Sequence, residues 1–360
     1  MDEVYRSGLR WLATSGIQAE SGGVSRYYSA DRDLYRNLST EITAYGVQGY
    51  LYLPLPGQTA FLSNALRGGQ FLCYDATRPD EGLFPYEISL NRGPAAAKAY
   101  FFDCGIVIRA LLGLWNTTAD AAYLERAERC GAALMDRLSR VDGSFFPVID
   151  LSSGVPSASP ENWSLEPGPY QLKVGLAFLE LAEVTSSGLF SKVSERLLAN
   201  ALRTHEAFLP GHTETDRVVD RLHAYCYFLE GLLPFLERHF ECVLILQGGI
   251  SKVERMMAEA REGLERCDVL AQLLRLRLLA DCAGVVELDV SAASTEAESL
   301  PAFQLKTDDR RTNGAFAFGR RNGELLPQAN PTATIFALQA LRMWHEQQSG
   351  ELKATWRDLI

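Results

Sequence analysis

The chain is poor in the residues that build most metal and redox sites. Its 360 residues include only five His and five Met. Cysteine is present seven times, an odd number, and no C-x-x-C pair occurs. That argues against a closed disulfide framework and against the usual zinc spacing. Most of these thiols fall in apolar helical stretches, where Cys behaves as a small hydrophobe. Such usage favours a reducing, cytoplasmic setting. Long hydrophobic runs are missing too; none approaches the ~18 residues of a membrane span. Positive charge is in deficit, with 35 Lys and Arg against 45 Asp and Glu, a net charge of −10. That leaves no basic footprint for nucleic acid or an anionic membrane. The Gly pairs at 22–23, 68–69 and 248–249 match no dinucleotide or phosphate-loop pattern. No metal or other cofactor is expected. The opening Met1-Asp2-Glu3-Val4 lacks the basic start of a secretory signal.

What is present is helix, repeatedly. Tyr100 to Trp115 carries Asp103 near its start and is apolar almost throughout. A helix apolar on nearly every side is buried on nearly every side. The same design recurs five more times, with starts near Glu41, Tyr170, His223, Asp268 and Thr332, spaced 45 to 67 residues apart. More polar, amphipathic helices lie between most of them, as in Ala119 to Arg140. Others are expected over Val4 to about Ile17, over 58–68 up to Gly68-Gly69, from Ser191 to about Ala207, and around 250–265. The 284–312 stretch reads as irregular, with two short strands. A spacing of one helical hairpin plus loops is the mark of a repeat, and about twelve helices of ordinary length fill the chain. Asn330-Pro331 is a strong start signal, an N-cap with Pro at the first helical position. Three Gly-x-Phe turns, at Gly82, Gly143 and Gly314, each precede a buried helix.

This alternation resembles the six-hairpin, (α/α)6 toroid superfamily. It is shared by several glycoside hydrolase families, N-acylglucosamine 2-epimerase-like enzymes, the toroid of glucuronyl C5-epimerases and the helical domains of polysaccharide lyases. The resemblance implies an all-α fold of about twelve helices with short β insertions, one toroid domain over residues 1–360. It also implies a carbohydrate bound in a central funnel lined by the inner-helix starts. The opening, Leu9-Arg10-Trp11-Leu12 through Gly22-Gly23-Val24, also resembles a terpenoid-cyclase repeat. The acid motif of those enzymes is absent, because Asp31-Arg32-Asp33-Leu34 departs from Asp-x-Asp-Asp at its last position.

Candidate residues follow from position at the inner-helix starts. Asp103, Glu41 and Asp268 are carboxylates of the type that flank a glycosidic bond in hydrolysis; each could equally serve only as a helix cap. His223 titrates near neutrality and suits proton abstraction beside a carboxylate, as in elimination or epimerisation. A core His bonded to a carbonyl is its alternative. Tyr45, Tyr170, Lys173, Tyr225 and Gln272 are candidate substrate contacts, Trp163 a candidate stacking platform and Arg320 a candidate uronate clamp. The alternative to an enzyme is a non-catalytic ring that binds glycan or protein in polysaccharide assembly.

Overall fold

The computed structural model describes residues 3–55, 58–76, 82–90, 97–209, 215–260 and 263–360. Among them are twelve α-helices: α1 (Glu3–Thr14), α2 (Thr40–Tyr52), α3 (Ala60–Gln70), α4 (Phe101–Thr118), α5 (Ala121–Leu138), α6 (Leu172–Thr185), α7 (Gly188–Phe208), α8 (Thr215–Leu232), α9 (Phe240–Ala260), α10 (Cys267–Cys282), α11 (Val290–Ser299) and α12 (Pro331–Gln348). Even-numbered helices are the apolar ones. From Cys267 to Ala280 every residue of α10 is buried, and α4 is buried from Cys104 through Leu112.

The chain divides into two compact units. One comprises residues 18–26 and 36–206. Its apolar helices α2, α4 and α6 pack side by side, with α3 against α2 and α5 against α4. Helix α7 is tied to α6 where the Ser194 hydroxyl donates to the Gly175 carbonyl at 2.9 Å. The other unit comprises residues 1–17, 27–35 and 207–360. In it α10 lies between α8 and α12, with α9, α11 and α1 on their outer sides. Each unit is thus three helical hairpins with the apolar helix innermost.

Short strands, gathered into four three-stranded antiparallel sheets, launch the inner helices. Leu38–Ser39 runs into α2, Lys98–Tyr100 into α4 and Leu264–Arg266 into α10, while Gln328–Ala329 is separated only by Asn330 from Pro331, which opens α12. The Gly-x-Phe turns complete the launch. Gly82, Gly143 and Gly314 have φ of +70°, +87° and +94°, a region glycine enters without the Cβ clash. Each turn leaves its Phe fully buried and bonded to the start of the next inner helix. The Phe84 N–H donates to Cys104 Sγ of α4 at 3.5 Å. The Gln171 side chain, just before α6, donates to the Phe145 carbonyl at 3.0 Å. The Phe316 N–H donates to Thr334 Oγ1 of α12 at 2.9 Å. Gly22-Gly23-Val24 repeats the device with Val in place of Phe: its Val24 N–H donates to Thr43 Oγ1 of α2 at 2.8 Å.

Four expectations are corrected. The first helix stops at Thr14 rather than near Ile17. Gly68-Gly69 does not end a helix; α3 runs through it to Gln70 and into a π-turn at Phe71–Asp75. A Cβ at Gly69 would sit 2.4 Å from Leu114, so these glycines allow close helix packing. Helix α9 begins at Phe240, ten residues before the expected start, and ends at Ala260. Gly249 lies within it against Leu229, again at 2.4 Å from an added Cβ. Residues 290–299 form α11, capped by Asp289, where strands were expected. Its buried face is Ala293, Glu296 and Ala297, too small and polar to announce itself by hydropathy. Residues 77–81, just ahead of the expected Gly82 turn, lie outside the described residues.

Candidate functional site

In the unit built on α2, α4 and α6, two carboxyls stand at neighbouring helix starts. Neither is a cap. Ser39 occupies the N-cap of α2, its hydroxyl accepting from the Ile42 N–H, and Glu41 lies two residues on. Tyr100 occupies the N-cap place of α4 without a side-chain bond, so Asp103 sits in the third helical position. Both acids are part-buried. Burial pushes the Glu41 carboxyl up to about 7, against the pull of Arg26. Burial also raises Asp103 well above the ordinary carboxylate range, and the charge of Glu41 raises it further. Two acids that share one field do not ionise together.

Arg26 is the counter-charge. It extends from the end of strand Val24–Ser25, and its guanidinium donates to Glu87 at 2.8 Å. Glu87 is placed by register, directly opposite Ser39 in the sheet, and accepts a second bond from Asn37 at 3.2 Å. Desolvation works against the Arg26 charge; the Glu87 bond and the fields of Glu41, Glu87 and Asp103 outweigh it. Asp103 also acts on two tyrosines. Its charge adds to the burial that raises the phenols of Tyr100 and Tyr170.

An aromatic wall stands beside the acids. Trp163 and Tyr170 meet edge-on at 5.0 Å, and each approaches Phe102, at 6.4 and 6.0 Å. The Tyr170 hydroxyl donates to the Glu166 carbonyl at 3.0 Å, which holds the 151–169 loop against α6. Tyr86 packs edge-on to Tyr100 at 5.4 Å. Phe102 and Tyr170 are buried, while Trp163 keeps part of its indole exposed.

The other unit carries its own polar cluster. His223 of α8 meets Gln272 Oε1 of α10 through Nδ1 at 2.7 Å, and Asp268 Oδ2 lies 3.6 Å from the same nitrogen. Burial and the nearby Arg266 charge lower the imidazole to about 4, so it is neutral at pH 7. In the tautomer that matches the amide oxygen, Nδ1 carries the proton and Nε2 the lone pair. Arg266 donates to both oxygens of Asp268, at 2.9 and 2.6 Å, and to Asp220 at 2.5 Å. Burial alone would raise Asp268; Arg266 holds it below the usual range. The Gln272 amide nitrogen is buried with no partner.

The expected residues are therefore sorted. Glu41, Asp103, Trp163 and Tyr170 gather in one unit, and His223, Asp268 and Gln272 gather in the other. Arg320 lies across the strand pair from Glu265 and is ion-paired to it. Tyr45 and Lys173 have no exposed surface. Tyr225 faces the outer helix, with Lys252 of α9 over its ring at 5.8 Å. All three are buried on the inner helices α2, α6 and α8. Sequence reasoning missed Arg26, Glu87 and Arg266. Arg266 ends a strand just before a helix start and Arg26 follows one, positions no periodicity marks. Among the described residues, no group of three or more His, Cys, Asp or Glu is arranged to hold a metal ion.

The comparisons with known proteins agree on the fold. No family model and no curated protein matches the chain. Solved structures do. Cellobiose 2-epimerase from Spirochaeta thermophila superposes with TM-score 0.74 at 14% identity, over 96% of both chains. A D-mannose isomerase gives TM-score 0.66 at 12% identity, over 94% of this chain and 97% of its own. Unsaturated glucuronyl hydrolase from Streptococcus agalactiae gives TM-score 0.66 at 12% identity, over 96% and 92%. The chain has the all-α (α/α)6 toroid fold.

Proposed function

We propose that the protein is a carbohydrate-active enzyme that hydrolyses a glycosidic bond with Asp103 and Glu41. The observation that carries this reading is the pair of acids raised together beside a half-exposed aromatic wall. A carboxyl kept protonated near neutrality is a general acid, and a partner that ionises near 7 is a general base. Asp103 donates its proton to the departing glycosidic oxygen. Glu41 takes a proton from the attacking water, whose oxygen bonds to the anomeric carbon. Trp163 offers an apolar face to a sugar ring. The carbohydrate-acting names of the structural neighbours support the substrate class.

A second reading rests on one specific observation, the neutral His223 whose Nδ1 is fixed by Gln272. Its Nε2 is a base suited to removing a proton beside a sugar carbonyl, the step of epimerisation or isomerisation.

One experiment separates them. Wild type, Asp103→Asn and His223→Gln are incubated in deuterated water with a panel of disaccharides and reducing sugars. Release of reducing ends, lost in Asp103→Asn and kept in His223→Gln, upholds hydrolysis. Deuterium at the carbon next to the carbonyl, lost only in His223→Gln, moves the function to the second reading. If neither reaction occurs and no saccharide binds, the chain is a scaffold rather than an enzyme.

A further inference from the structure

We infer that the groove between α11 and the C-terminal half of α12 is a second saccharide site, with Trp344 as its stacking platform. It lies in the other unit from Glu41 and Asp103 and does not depend on the reaction assigned to them. Two helix sides of matching spacing line it. Leu341, Trp344, His345 and Gln348 stand at i, i+3, i+4 and i+7 along α12. Ser294, Ala297, Glu298 and Pro301 repeat that spacing from α11 into the turn after it. Residues so spaced share one side of a helix. Helices α11 and α12 pack together, and the groove they form has a volume of about 720 Å³. Sites that take small ligands occupy ~300–1,000 Å³.

The lining is divided by chemistry. Ala297 and Tyr5 of α1 are buried and form the floor. Leu341, Pro301 and Trp344 are half-buried. Glu298, His345 and Gln348 are exposed at the rim. The Ser294 hydroxyl donates to Glu298 Oε1 at 2.9 Å, which holds that carboxylate in place. A wholly apolar ligand would strip water from the rim groups without replacing their hydrogen bonds. A sugar ring suits both halves. Its C–H face lies on the indole, while its hydroxyls donate to the Glu298 carboxylate and accept from the Gln348 amide.

Cellotetraose and maltotetraose are the probes, and the reporter is local. The chain has only five His, few enough for the Hε1 proton signal of His345 to be assigned by its loss in His345→Gln. The expected result is that one of the two tetrasaccharides shifts this signal saturably in wild type and in Asp103→Asn alike. Trp344→Ala raises the half-saturation concentration by about tenfold, the scale of one lost ring contact. Glu298→Gln, at an exposed position, raises it by a smaller factor and decides the matter if Trp344→Ala melts early. A His345 signal that neither sugar moves overturns the inference. So does a half-saturation left unchanged by Glu298→Gln and by a folded Trp344→Ala. Reducing-end release is followed in the same samples, and its presence in wild type and loss in Asp103→Asn upholds the hydrolytic reading even then.

Discussion

At the scale of single residues, the candidate groups are defined by what surrounds them. Glu41 and Asp103 share a helix-start position with ordinary capping acids, yet Ser39 and Tyr100 hold the cap places. The two acids are left to one another and to Arg26. Asp103→Asn is expected to lower turnover by about 10²- to 10⁴-fold, the usual worth of a general acid, without lowering the melting temperature. Glu41 carries a stability signature as well. Its carboxyl goes from 4.5 to about 7 on folding, so the folded state holds the proton more tightly. Stability is then fullest below 4.5 and declines as pH rises to about 7. His223 acts oppositely. Its value falls from 6.5 to about 4, so stability present above 6.5 is lost as pH falls toward 4. Urea midpoints measured from pH 4 to 8 should therefore show Glu41→Gln flattening a decline with rising pH and His223→Gln flattening a decline with falling pH. Removing the Arg26 charge by Arg26→Gln should move the ascending limb of kcat/KM to higher pH, since Arg26 favours the ionised Glu41.

At the scale of elements, glycine has two uses that hydropathy does not distinguish. Gly105 of α4 faces Val174 of α6, and a Cβ there would lie 2.5 Å from it. Gly105→Ala is expected to destabilise by about 1–3 kcal/mol through overpacking. Gly248 has nothing within 4 Å of an added Cβ. Gly248→Ala should stabilise by up to about 1 kcal/mol, the helix-propensity difference alone. Denaturant titration of the two variants checks both signs. The same ambiguity explains what the sequence concealed. The inner helices were legible because burial on all sides leaves continuous apolar runs, as in α4 and α10. Asn330-Pro331 marked α12 because its cap chemistry is local. The Gly pairs at 68–69 and 248–249 look like breaks, but their meaning lies in Leu114 and Leu229, residues distant in the chain. Helix α11 was hidden because it buries alanines. In the site, the acids on regular helices could be found by position, whereas Arg26 and Glu87 are placed by strand register, which leaves no spacing to count.

At the scale of the molecule, charge and fold are separable. Neighbours at 12–14% identity keep the toroid, so the arrangement of helices is set by burial pattern rather than by particular side chains. The net charge of −10 repels anions at long range, and that field is screened within about 8 Å at physiological salt. The affinity of an anionic saccharide should therefore rise with salt while that of a neutral one stays within about twofold, and calorimetric titration across a sodium chloride series checks this.

The four glycine turns that hook onto the starts of α2, α4, α6 and α12 have a consequence for how such a protein can change. Each hook fixes a helix start through one backbone or side-chain bond close to the turn, so the span between hook and helix is mechanically spare. The eighteen residues between Leu151 and Tyr170 can be lengthened, trimmed or exchanged while Phe145 and Gln171 keep α6 in place. The fold separates a rigid chassis from replaceable trim, and new specificities can be fitted without re-solving the packing of the core.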